Sequence, residues 1–336
     1  MSGHDLPTLR YLSGDDVTES MPELPERLAL AERTMTLLAQ GAELPPKISI
    51  HPRPEGSFVH AMPAHARDKG DEGDEDLVGV KWIAGFGTNN ARGIPALNGL
   101  IVLNDARTGV PTAILDAGPV TALRTAAVSG VAIGRFAPEV SGRALQGAVI
   151  GAGVQGRSHL AVLGHLLPGI EVALFDRHPE RVEEFAALAR ATPGIGGATQ
   201  AATAREAVAD ADIVVTCAAF TTPERRQLMT NDWLAPDALV VPVDYATYAA
   251  AEVARDAELF LVDQREQFLA NRDDGAFAGY PDPSATIGEA ILAGTPRPAR
   301  GRVVVTHLGV GLADLVFGDA IVRRARELGL GLNLPR

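Results

Sequence analysis

The sequence predicts an α/β protein built around a doubly wound parallel sheet, with an α+β domain ahead of it. Three observations carry that expectation. From Ala144 onward, strand-like and helix-like patterns alternate, as crossover connections between parallel strands require. The loop Gly151-Ala152-Gly153-Val154-Gln155-Gly156 falls between the first of those strands and the helix after it. A length of 336 residues suits two domains.

Residues 24–40 read as an amphipathic helix closed by Gly41. Short β-rich runs follow at Lys47–His51, Ser57–Met62, Val78–Ala84 and Leu100–Asn104, with Ala113–Leu115 as a further strand. The acidic stretch Lys69–Asp76 reads as a solvated connector. Thr121–Phe136 is a small-residue helix with Thr121 as its expected N-cap. Pro138 and Gly142 mark a boundary, giving residues 1–140 to the first domain and 141–308 to the second. In the second, Ala148–Ile150, Glu171–Phe175, Ile213–Ala218, Leu239–Val243, Leu259–Val262 and Arg302–Thr306 read as strands. Gln155–Leu167, Pro179–Arg190 and Ala204–Ala209 read as helices, and the tail from Gly309 to Gly331 as one more.

Composition removes several function classes. With 30 basic and 42 acidic residues the net charge is −12, so a broad electrostatic grip on nucleic acid or anionic lipid is not expected. No apolar run approaches the ~20 residues of a membrane span. The first residues lack a basic segment followed by an apolar one, so a cytoplasmic protein is expected. Cys217 is the sole cysteine, which excludes an intrachain disulfide, and its apolar flanks make it a core residue. The histidines show no metal-ligand spacing, and neither a nucleophile elbow nor a P-loop is present.

The glycine-rich loop carries the strongest chemistry. Gly151 permits the tight turn, Gly153 lets backbone approach a pyrophosphate, and Gly156 lets helix and strand pack closely. The helix N-terminus adds unpaired N–H groups and the positive end of a dipole. Asp176 ends the next strand, 20 residues after Gly156, in position to accept from adenosine ribose hydroxyls. That favours NAD, while Arg177 and His178 beside it could hold a 2′-phosphate and keep NADP possible.

Two cations stand in apolar surroundings. Lys81 lies in Val78–Ile83 and Arg124 in the otherwise uncharged Thr121–Ala127. Each needs an internal acid or an anionic ligand such as a carboxylate. Asp244 sits at the C-terminal end of a strand, where ligands bind in open α/β sheets; it is either a general base or the cap of the next helix. His307 follows another strand and is open to the same two readings, ligand contact or structural residue.

With these residues placed, the chain resembles the ornithine cyclodeaminase/mu-crystallin family over nearly its whole length. The matching blocks include Val80–Phe86, Gly93–Gly99, Leu103–Gly109, Thr121–Ala127, Gly151–Gly156 and Gly309–Asp314. The resemblance implies an enzyme that is a homodimer. Its first domain, completed by residues 309–336, would supply substrate contacts and the dimer interface, and the Rossmann domain would bind the nicotinamide cofactor. It implies that Lys47, Lys81 and Arg124 hold a substrate carboxylate, with Leu308 lining the substrate. Arg124, Thr125, Gly151, Gly153, Val154, Gln155, Gly156, Asp176, Arg177, Thr216, Ala218, Val243 and His307 would contact the cofactor, and Asp244 matches the catalytic aspartate.

Three departures stand out. His60 replaces an acid two residues before Met62-Pro63, Tyr245-Ala246-Thr247 replaces a Pro-Gly-Lys stretch, and Thr306-His307 replaces a pair containing aspartate or serine. The leading expectation is hydride transfer at the Cα–N bond of an amino acid or a cyclic imine. Cyclodeamination of ornithine is the alternative, and nucleotide-dependent ligand binding without turnover is the third.

Overall fold

A computed structural model describes residues 8–67, 76–221 and 223–335. The connector expected at Lys69–Asp76 lies outside them except for Asp76, as do the N-terminal residues read for targeting signals. The chain forms two compact units, Met1–Arg124 with Val310–Arg336, and Thr125–Gly309.

The first unit opens with β1 (Leu9–Leu12), α1 (Gly14–Glu19) and α2 (Leu24–Ala39). Ser13 and Asp16 form a capping box at the start of α1. An antiparallel meander follows: β2 (Ile48–Ile50), β3 (Phe58–Ala66), β4 (Leu77–Gly85), β5 (Leu97–Asn104) and β6 (Pro111–Asp116). Alternation along β4 buries Leu77, Gly79, Lys81 and Ile83 and exposes Trp82. Then comes α3 (Ala117–Phe136), whose second half belongs to the other unit. Thr121 is not its N-cap: the helix starts four residues earlier, and the Thr121 hydroxyl donates back to the Ala117 carbonyl. Pro119, which reads as a breaker, is tolerated because it stands in the first turn.

The second unit continues with β7 (Gln146–Ile150), α4 (Val154–Leu166), β8 (Ile170–Phe175), α5 (Pro179–Ala191), β9 (Ile195–Gln200) and α6 (Ala204–Val208). After these run β10 (Ile213–Thr216), β11 (Leu239–Pro242), α7 (Ala251–Arg255), β12 (Leu259–Val262), α8 (Arg265–Asp273), β13 (Ala285–Thr286), α9 (Ile287–Leu292) and β14 (Val303–Thr306). The eight strands lie in the order β13-β12-β14-β11-β10-β7-β8-β9, all parallel. The order reverses direction at β7 and β10, the crevice where ligands bind in such sheets. Phe260, Phe268, Phe277 and Tyr280 fill one side of the core.

The chain then returns to the first unit. Helix α10 (Gly311–Leu328) packs on β3, β4 and β5, and ends on Gly329 in the left-handed conformation. A Cβ at Gly311 would stand 2.5 Å from the Met62 carbonyl oxygen, so the helix enters against bare backbone. Finally β15 (Leu332–Leu334) pairs antiparallel with β1, closing a seven-stranded sheet of order β15-β1-β6-β5-β4-β3-β2. No helix among the described residues is long and apolar enough to cross a membrane.

Candidate active site

In the first unit, β4 carries Lys81 inward beneath α10. Its Nζ lies 2.6 Å from Asp314 Oδ2, and Arg124 Nε donates to Asp314 Oδ1 at 3.2 Å. All three side chains are buried, so the two suspect cations share an internal acid. Burial drives the Lys81 ammonium down from its ordinary pKa, with Asp314 pulling the other way and Arg124 adding to the fall. Asp314 lies within a matched block, yet nothing local marks it as the partner of residues so distant in sequence.

Sheet register extends the cationic face. Lys81 pairs with Met62, and His60 pairs with Ser49, so the pleat puts Lys47, His51, His60 and Lys81 on one side of the sheet. His60 stacks on Phe58 with ring centroids 4.4 Å apart. Burial, then the charges of Lys47, His51 and Lys81, push the His60 pKa down to about 4, so the ring is neutral at pH 7.

In the second unit the glycine loop has the geometry of a pyrophosphate cradle. Gly151 has φ +109°, and a Cβ there would meet the Cys217 carbonyl oxygen at 2.6 Å. A Cβ on Gly156 would stand 1.9 Å from the Gly151 carbonyl oxygen, which forces glycine where α4 crosses the turn. Gly153 differs: a Cβ there would meet nothing within 4 Å. Open space thus faces the α4 N-terminus, which no side chain caps and where Val154 is exposed. That is what a phosphate group needs.

Asp176 closes the loop from the next strand. Its Oδ2 accepts from the Ala152 N–H at 2.8 Å and its Oδ1 from the His178 N–H at 2.9 Å. These bonds hold the carboxylate in one orientation, with remaining lone pairs for ribose hydroxyls. Arg177 is exposed, and its Nε donates to His178 Nε2 at 3.2 Å.

Asp244 follows β11 and is buried. Thr216 donates its hydroxyl to Oδ1 at 2.6 Å, and the Ala218 N–H donates to Oδ2 at 3.0 Å. Thr216 and Ala218, expected as cofactor contacts, here hold the carboxylate. Burial pushes the Asp244 pKa up to about 7, against both hydrogen bonds. Ala218 N is also among the atoms that a Cβ on Gly151 would approach, so the carboxylate and the dinucleotide loop share a wall. Tyr245 comes next with φ +58°, unusual for a residue with a side chain. It stacks on Phe277 and donates its hydroxyl to the Leu308 carbonyl at 3.3 Å. Cys217 is a bystander, its thiol pushed well up by burial and by Asp244.

His307 is buried, with Nε2 2.8 Å from the Ser129 hydroxyl. Ser129 in turn lies 2.8 Å from His159 Nε2. Neither Ser129 nor His159 stands out in the sequence, since a serine in a small-residue helix and a lone histidine in another look like packing.

A doubly wound sheet, a glycine loop with space for phosphate and a buried strand-end carboxylate define a nicotinamide-nucleotide oxidoreductase scaffold. The sequence profile of the ornithine cyclodeaminase/mu-crystallin family matches residues 15–318, and the chain belongs to that family. It is 33% identical over 329 residues to nodulation efficiency protein NfeD of Rhizobium meliloti, covering 96% of this chain and 97% of that one. Among solved structures, it is similar to the Thermococcus litoralis Δ1-pyrroline-2-carboxylate reductase in complex with NADH and L-proline. There the TM-score is 0.82 and the identity 25%, over 97% of this chain and 100% of the other. An archaeal alanine dehydrogenase dimer with bound NAD gives a TM-score of 0.82 and 26% identity, over 97% and 99%.

Proposed function

We propose that this protein is an NAD-dependent oxidoreductase that transfers hydride at the Cα–N bond of an amino acid or a cyclic imine. The observation that carries the reading is Asp244: a buried carboxylate with a pKa near 7, held on the wall of the dinucleotide loop. A group titrating there can take and return a proton at working pH.

When bound, the cofactor supplies or accepts the hydride at C4 of its nicotinamide ring. Gly153 and the α4 N-terminus hold the pyrophosphate, and Asp176 the adenosine ribose. Lys81 and Arg124 take the substrate carboxylate. Asp314 fixes Lys81 Nζ and Arg124 Nε, which leaves the guanidinium fork to make paired hydrogen bonds. Lys47 adds a third positive charge. Asp244 removes a proton from the α-ammonium group, so that the nitrogen lone pair can drive hydride off Cα. In the reverse direction it returns that proton to the amine.

His60 speaks against ornithine as the preferred substrate. A distal ammonium near it would meet the positive charges of Lys47, His51 and Lys81. The cyclodeaminase reading predicts proline from ornithine without net NADH. The reductase reading predicts NADH consumption with pyrroline-2-carboxylate, or with pyruvate and ammonia. A substrate panel scored both ways decides, and proline release alone would overturn the proposal. A binding protein without turnover would bind NADH and consume none of it.

The same reading makes the protein a cytoplasmic homodimer. Ile48, Ile50, Trp82 and Leu100 are exposed, and strand register sets Ile48, Ala61, Trp82 and Leu100 in one row on the sheet face opposite α10. Trp82 is 49% exposed, and a stripe of this kind suits a second copy. Light scattering on the parent and on Trp82→Asp tests it: a parent that is monomeric at micromolar concentration would remove the dimer.

A further inference from the structure

His60 stands in the middle of the cationic face of the first unit, and the chemistry above gives it no ligand of its own. Strand register puts Ser49 directly opposite it on β2 and Ile83 directly opposite it on β4. Its diagonal neighbour on β4 is therefore Lys81, while Lys47 and His51 flank β2, two residues to either side of Ser49. Diagonal side chains on one face of a sheet lie roughly 7–8 Å apart, within each other's field.

The His60 ring is half-buried and stacks on Phe58. Among the described residues, neither ring nitrogen makes a hydrogen bond. Burial and the charges of Lys47, His51 and Lys81 together disfavour a proton on the ring. Asp314, which α10 brings to this side of the sheet, is already shared by Lys81 and Arg124. The field at His60 is thus positive. A ligand carboxylate suits it twice over: it accepts from the imidazole N–H, and its charge lets the ring take up a second proton, which makes the bond charge-assisted.

We propose that His60 is a specificity-determining residue that receives a second carboxylate of the substrate, so that the preferred amino or imino acid is dicarboxylic, aspartate- or glutamate-like. The inference rests on the reading that Lys81 and Arg124 hold the α-carboxylate. A second carboxylate, one side chain away from the first, then falls on the diagonal neighbour of Lys81. A cationic side chain meets repulsion in the same place, and an apolar one leaves the imidazole nitrogens without a partner.

Calorimetric titration of the full-length protein with succinate and with butyrate, in the presence of NADH, tests the site without turnover. The two ligands differ by a carboxylate against a methyl group. Succinate should bind roughly 10- to 150-fold more tightly, the range of one hydrogen bond to a charged group. His60→Gln should lose most of that preference, and His60→Glu should abolish or reverse it. The imidazole C–H signal of His60 should titrate at a higher pH with succinate bound than with butyrate bound, a response that a merely structural residue would not give. Equal affinity for the two ligands in the parent overturns the proposal, as does a succinate preference undiminished in folded His60→Gln and His60→Glu. Rates of NADH consumption with ammonia and either oxaloacetate or pyruvate separate this inference from the reading beneath it. A kcat/KM for pyruvate above that for oxaloacetate rejects the second carboxylate and keeps the reductase. A succinate preference in a protein that consumes NADH with neither keeps the anion site and counts against the function proposed above.

Discussion

Lys81 Nζ sits 2.6 Å from Asp314 Oδ2, with both side chains shut away from water. The pair changes what a substitution at Lys81 means. Asp314 keeps Arg124 at 3.2 Å when Lys81 is lost, so its charge is not stranded. Lys81→Met should then cost about 1.5–3 kcal/mol, the worth of a hydrogen bond to a charged group. Asp314→Ala strands two buried cations and should cost about 3–5 kcal/mol. Denaturant melts of the two variants check the order, and Lys81→Met proving the less stable would refute it.

Asp244→Asn keeps the shape of the base and removes its proton affinity. We expect kcat to fall by about 10²–10⁴-fold with NADH affinity nearly unchanged. Steady-state kinetics beside fluorescence titration measure both. A folded variant with parental kcat would reduce Asp244 to a buried hydrogen-bond acceptor.

The pH profile carries a second signature of the same residue. In amino-acid oxidation only the ionised carboxylate accepts a proton, and burial has raised its pKa to about 7. kcat/KM for oxidation should therefore climb with pH and level off above about 7. The limb should be missing from Asp244→Asn. A parent whose oxidation rate is flat from pH 5 to 9 would contradict the assignment (a window set by general acid–base behaviour, roughly two units on each side).

Two glycines of one loop should respond oppositely to alanine. Gly153→Ala adds a methyl group to open space, so the stability cost should be only that of a poorer N-cap, up to about 1.5 kcal/mol. NADH affinity should drop if, as proposed, that space receives the pyrophosphate. Gly156→Ala drives a methyl into the Gly151 carbonyl oxygen and should disrupt the start of α4 itself. Thermal melts with and without NADH separate the cases. Equal loss of stability in both would show that Gly153 is also packed.

Asp176→Ala should cost both cofactor affinity and loop order. The carboxylate staples the Ala152 and His178 amides and keeps lone pairs that could accept from ribose hydroxyls. Losing it should weaken NAD by about 1.5–3 kcal/mol, and hydrogen exchange at Ala152 should speed up. Unchanged NAD affinity would leave Asp176 as the staple alone.

The second unit was the more legible in the sequence, because each parallel strand is an apolar run and each crossover has a helical period. Its omissions have physical causes. Strand β9, Ile-Gly-Gly-Ala-Thr-Gln, lies at a sheet edge and needs little apolar surface, and α8 has its apolar residues, Phe268, Leu269 and Ala270, in one consecutive run that shows no helical period. In the first unit, β1 is four residues long and pairs with β15 from the far end of the sequence, so no local pattern announces it. Lys81 and Arg124 could be singled out because charge in an apolar run is costly. Their shared partner could not, since Arg124 and Asp314 stand 190 residues apart and meet only when α10 packs on β4. Asp244 was legible as a strand-end carboxylate, whereas the bonds that orient it come from Thr216 at the end of another strand and from Ala218 just after it.

The return of α10 and β15 to the first sheet sets an order of events during synthesis. Thr125–Gly309 is continuous and can condense while translation is still under way. Residues 8–124 cannot: their sheet waits for α10 to cover it and for Leu332–Leu334 to flank Leu9–Leu12. The second module is complete once Gly309 has been added, and until the closing segment follows it the nascent protein carries a finished module behind an unfinished one. Chaperones that bind exposed apolar strands have their target in β3, β4 and β5, until the last helix arrives and takes the place for good.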